Sequence, residues 1–201
     1  MTDEMQAIRD DLAYLRALAE DGRGGAERGG AIGLAAGLIF ATCSVVQWAG
    51  LEGLVGGAIT NGTWMVGMAA FFTVLFVVKR RTGPASGRGR PASVAWMGVG
   101  WAIFALFAAL AVATWRTQSP LLIYFAPSII LALYGAAWTV AAAVSGKGWV
   151  KLTAIGSFLG AVVCAWFIAD PVQYLIYAAG LLLLAALPGF VMMRQEARAE
   201  G

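Results

Sequence analysis

The chain has 201 residues, 60% of them hydrophobic and 12% charged, with a formal net charge of +3 and no histidine. Together with a mean hydropathy of +0.77, this composition excludes a water-soluble domain whose core is sealed by its own packing alone. The missing histidine removes the commonest ligand of haem, zinc and copper and the usual proton shuttle near neutral pH, so no cofactor is expected.

Residues 1–28 form a separate polar unit. Asp3 followed by Gln6 resembles a capping box, and Met5, Ile8, Leu12, Leu15 and Ala19 then recur at alternating three- and four-residue steps. That spacing draws one apolar seam along an α-helix and marks Met5, Ile8, Leu12 and Leu15 as partner-docking residues. The helix is acidic: Asp3, Glu4, Asp10, Asp11, Glu20 and Asp21 oppose two arginines. Anionic headgroups should repel it. Three docks are open to it: the cytoplasmic ends of its own bundle, a second copy in coiled-coil fashion, or a different cytoplasmic protein. Gly22 is a natural stop, and Arg23 to Gly30 reads as a Gly-rich linker. No short apolar segment stands beside a small-residue cleavage site, so no cleavable signal peptide is expected.

Six charge-free runs follow, at 29–51, 53–78, 91–115, 117–146, 152–169 and 171–193. At about 1.5 Å per helical residue each is long enough to cross a hydrocarbon core of about 30 Å. Lipid leaves helices or a closed barrel as the only spanning structures, and the runs lack the period-2 alternation of a barrel. The expected fold class is all-α: a polytopic bundle of six transmembrane helices at 29–193, preceded by the amphipathic helix at 1–28 and followed by a tail at 194–201. With the N-terminus in the cytoplasm, thirteen of the fourteen basic residues lie inside and Arg116 alone lies outside. The opposite orientation would run against the bias that sets membrane topology.

Within span 1, Gly29, Gly33, Gly37 and Ala41 repeat every fourth residue; span 5 carries Gly156 and Gly160, and span 3 carries Ala105, Ala109 and Ala113. Small residues let backbones approach closely in lipid, so Gly29, Gly33, Gly37, Ala41, Gly156 and Gly160 are read as helix-packing residues, within one chain or between copies of a homo-oligomer. Thr42, Ser44 and Gln47 crowd the outer half of span 1, where Gln47 should turn inward to a partner or to water. Cys43 and Cys164 are read as buried small residues. The basic loop at 79–92 is a flexible connection whose charge sets topology, with anionic lipid or the acidic helix as its functional alternatives.

Outer helix starts share one pattern. Asn61-Gly62, Ser119-Pro120 and Asp170-Pro171 place a capping acceptor before spans 2, 4 and 6. On that reading Asp170 is an interfacial N-cap; the alternative is an ion or proton site. Pro127 should bend span 4, and Pro188 should bend span 6 near its inner end, each freeing a carbonyl. Leu122-Ile123-Tyr124 and Leu175-Ile176-Tyr177 follow the two cap–proline pairs at an offset of 53 residues. Ala31-Ile32-Gly33 likewise matches Ala154-Ile155-Gly156. Three similar hairpins would produce such echoes, as would chance in an Ala- and Leu-rich chain.

Gln47, Glu52, Arg116, Tyr124, Asp170, Gln173 and Tyr177 gather polar capacity at the outer rim and form the candidate ligand-binding set. Trp48, Trp64, Trp115 and Trp166 fall near the outer interface and Trp149 near the inner one, an aromatic belt. The sharper alternative is a cage for an organic cation. No Ser-His or Cys-His arrangement, phosphate-cradling Gly-loop or nucleic-acid signature is present, so neither an enzyme nor a nucleic-acid partner is expected.

The stretch from Arg9 to Arg23, running into a Gly-rich first span, resembles small six-span bacterial inner-membrane proteins that share an acidic amphipathic N-terminal helix. The resemblance covers about the first quarter of the chain, implies a bacterial inner membrane, and supplies no mechanism. Size and span count also resemble the substrate-binding subunits of energy-coupling-factor vitamin transporters, without their ligand motifs. Two functions follow as expectations. One is a non-catalytic, self-associating scaffold or regulatory subunit embedded in lipid; the other is a small-molecule or ion carrier with its site at the outer rim.

Overall fold

The computed structural model describes residues 29–81 and 90–197. Helices α1 (Gly29–Leu51), α2 (Gly57–Arg81) and α3 (Arg90–Thr117) come first. A 3₁₀ segment, Pro120–Phe125, then leads into α4 (Ala126–Ser145), followed by α5 (Gly148–Trp166). The last span is built in three pieces: α6 (Val172–Leu181), a π-helical turn at Leu182–Ala186, and α7 (Leu187–Ala197). Six of these spans are long and apolar enough to cross a membrane. The chain is therefore a six-span α-helical membrane protein. The N-terminal seam of Met5, Ile8, Leu12 and Leu15 and most of the basic loop lie outside the described residues.

Short reversals join most of the spans, so consecutive helices alternate in direction. The start of α1 lies beside the end of the last span: Gly30 faces Gly189 and Met193. Lys79, Arg80, Lys147, Lys151 and Arg194 consequently sit at the end where the chain enters α1, and Arg116 sits at the far end.

The small residues of span 1 meet the last span directly. A methyl added at Gly37 would overlap the backbone of Ala186, and one at Gly189 would come within 2.6 Å of the Gly30 carbonyl. Gly33 faces Ala185 and Gly189, so the four-residue glycine series is seated on α7 and the π turn. In lipid, where apolar contact alone gives little drive to associate, this close approach supplies van der Waals packing. Span 5 does the same less tightly: Gly156 faces Leu184, and Gly160 faces Leu131. Gly135 of α4 leaves room for the ring of Phe158.

Burial divides the spans. Half of an apolar stretch of the fourth span (Leu121–Ser145) is buried, against 11% for α3 and 6% for α2. The core runs through α4, α5 and the last span, with Leu131, Leu181, Cys164 and Ser157 fully enclosed. α3 leans on α4 through Trp96, whose ring meets Tyr134 at 5.3 Å and Trp138 at 5.1 Å, both edge-on. α2 leans on α1: Gly67 faces Cys43, Gly50 faces Thr60, and Phe40 packs 5.3 Å from Phe71.

Polar side chains inside the spans mostly satisfy themselves. The hydroxyls of Thr42, Ser44, Thr60, Thr73, Thr139, Thr153 and Ser157 each donate to the carbonyl four residues earlier. That local bond lets a hydroxyl lie in hydrocarbon without a tertiary partner.

Three local expectations need correction. α2 begins at Gly57, so Asn61 is inside the helix and does not cap it; the amide of Thr60 instead donates to the Gly56 carbonyl at 3.2 Å. Pro127 does not bend span 4 from within. The 3₁₀ segment ends at Phe125, and Pro127 falls in the first turn of α4, where a missing amide costs nothing. The matched tripeptides differ in conformation, since Leu122-Ile123-Tyr124 is 3₁₀ and Leu175-Ile176-Tyr177 is α-helical.

Candidate functional site

Gln173 organises the far end of the core. It lies in the first turn of α6 and is 0% exposed. Its Nε2 donates to the Tyr124 carbonyl at 2.8 Å and to the Cys164 carbonyl at 3.1 Å. One amide thus ties the 3₁₀ segment, the last turn of α5 and the start of α6. The Cys164 carbonyl is among those that the end of α5 leaves without an intrahelical amide. The Oε1 atom of the same amide is buried without a partner.

Asp170 prepares that position. Ala169 adopts φ 66°, a left-handed conformation that reverses the chain after α5. The Asp170 carboxylate then accepts from the Val172 amide at 2.9 Å, and its carbonyl accepts from the Gln173 amide at 3.0 Å. The side chain itself is exposed. It therefore acts as the helix cap that the Asp-Pro pair announced, which fixes where Gln173 enters the core.

The other rim residues are not drawn to this point. Gln47, half-buried, accepts from the indole Nε1 of Trp64 at 2.9 Å and so binds α1 to α2. Glu52 lies exposed in the turn after α1, Arg116 lies exposed in the last turn of α3, and no ion pair joins them. Tyr124 is half-buried, whereas Tyr177 is 4% exposed and packs in the core with Leu131, Tyr134 and Cys164. The candidate set thus falls apart into four: Tyr124, Asp170 and Gln173 meet at the α4–α5–α6 junction; Gln47 serves the first hairpin; Tyr177 belongs to the core; Glu52 and Arg116 face outward.

The tryptophans do not form a cage. Trp115 and Trp166 are exposed at the far ends of α3 and α5, and Trp64 is stacked on Phe40 with ring centroids 6.4 Å apart. The cysteines are buried thiols; the Cys43 thiol donates to the Thr63 carbonyl at 3.5 Å. Among the described residues no three of His, Cys, Asp or Glu come together. One open groove runs between α1 and α2 past Cys43, Gly62 and Gly67, and another along α2 past Phe72, Phe76 and Lys79. Gln173 lines neither.

Sequence reasoning missed Trp138 and Ser128. Trp138 is 4% exposed and donates through Nε1 to the Leu184 carbonyl at 2.8 Å. Half of that bond was visible in the chain: Pro188 has no amide to offer the carbonyl four residues before it, which is that of Leu184. The donor, 46 residues away, was not. No family model, no curated protein and no solved structure matches this chain.

Proposed function

We infer that the protein is a non-catalytic, multi-pass scaffold or regulatory subunit of a bacterial inner membrane, with both termini in the cytoplasm. It self-associates and offers its acidic N-terminal helix to a partner. One observation carries this reading: the amides and the carboxylate at the far end that reach into or cap the bundle are spent on structure. Gln173 clasps Tyr124 and Cys164, Gln47 holds Trp64, and Asp170 caps α6. A carrier would instead keep polar groups free around an opening near mid-membrane. The orientation rests on the basic residues gathered at the entry end, which membrane insertion keeps in the cytoplasm.

Deleting residues 2–21 tests it. In nanodiscs the truncated protein is expected to lose its oligomer or its captured partner while the spans stay folded. Unchanged assembly overturns the scaffold reading. A metabolite that stabilises the wild type thermally, but not Asp170→Asn or Gln47→Ala, would establish carriage in its place.

A further inference from the structure

The two hydrogens of Gln173 Nε2 are both committed, to the carbonyls of Tyr124 and Cys164. This fixes which way the amide points, because turning it over would set Oε1 against two carbonyl oxygens. Oε1 is therefore an acceptor buried in a membrane bundle with no donor. Such a group is costly in a medium that cannot hydrogen-bond.

A second unpartnered atom belongs to Ser128, four residues after Tyr124, whose carbonyl Gln173 binds. Ser128 is 8% exposed and its Oγ has no partner. Eight other span hydroxyls bond back four residues; for Ser128 that carbonyl belongs to Tyr124, which accepts from Gln173 Nε2. Ser128 thus stands one helical turn beyond the carbonyl that Gln173 holds. Thr114 Oγ1 and Trp149 Nε1 also lack partners, but they belong to half-buried residues near helix ends and share no such link.

The geometry points to a built-in site for a single buried water at the α4–α5–α6 junction, donating to Gln173 Oε1 and exchanging a hydrogen bond with Ser128 Oγ. Buried waters characteristically serve polar groups that the chain leaves unsatisfied, and two polar atoms are the minimum such a water needs. Water fits better than a larger solute, because Gln173 and the Cys164 it binds are fully enclosed and neither open groove includes Gln173. The site is independent of the scaffold reading. It makes water the fourth member of the clasp.

The full-length protein in lipid nanodiscs supplies the test. Magnetic relaxation dispersion counts long-lived internal waters, and a high-resolution map locates them. The wild type is expected to show ordered density within hydrogen-bond reach of both atoms. Ser128→Ala, which keeps every bond of the clasp, is expected to lose one long-lived water. Gln173→Met should lose the same one, and the double variant no more than either single. An unchanged count in Ser128→Ala overturns the proposal even if Gln173→Met fails to fold. A direct Ser128–Gln173 bond in the map, or density for an organic solute there, overturns it equally.

Discussion

Gly37 and Gly62 look alike in the chain, each a small residue in a long apolar run, yet a methyl group would be received differently at the two. At Gly37 it meets the backbone of Ala186, which cannot swing aside; at Gly62 nothing lies within 4 Å. Gly37→Ala is expected to destabilise the bundle by about 1–3 kcal/mol through overpacking. Gly62→Ala should be neutral or stabilising by up to about 1 kcal/mol, because alanine is the better helix former. Reversible unfolding in bicelles would compare them, and equal losses at both sites would contradict the seam between α1 and the last span. The every-fourth-residue glycines advertised close approach. Whether the approaching backbone belonged to this chain or to a second copy was undetermined, because spacing along one helix carries no information about its neighbour.

The last span shows how an element absorbs a proline. Pro188 deprives the Leu184 carbonyl of its usual amide, and the helix responds with a π turn over Leu182–Ala186 and an indole bond from Trp138. Trp138→Phe should cost about 1–3 kcal/mol, the usual penalty for a buried acceptor left unsatisfied. Pro188→Ala in the same chain should return part of that loss, since residue 188 would then offer an amide to Leu184. A double-mutant cycle checks this, and strictly additive losses would refute the pairing. At the other end of the span, Asp170→Ala is expected to cost about 1 kcal/mol and Asp170→Asn much less, because asparagine caps nearly as well. Faster hydrogen exchange confined to the first turn of α6 would identify the cap as the cause. That cap was readable from two adjacent residues. The Asn61-Gly62 cap was misread because helices in lipid can begin on glycine when a neighbouring span, here through Gly50 and Thr60, holds the first turn in place.

At the scale of the whole molecule, the alternation of six spans puts the turn at Gly56 and the turn at Ser145 on opposite sides of the membrane. In a background with Cys43→Ala and Cys164→Ala, Gly56→Cys should react with an impermeant thiol reagent added to intact cells. Ser145→Cys should react only after permeabilisation; the reverse pattern would invert the orientation. Membrane residence, the number of spans and the asymmetry of basic charge were determined by the sequence alone, because each is a one-dimensional property of where charges interrupt apolar runs. Tertiary structure decided which spans form the core, that α2 and α3 lie at its edge, and that the seven candidate residues fall into four separate places. It also decided that Gln173, which looked like a residue waiting for a ligand, holds three elements together. Those choices depend on side-chain shape meeting across helices far apart in the chain, and such complementarity leaves no local trace.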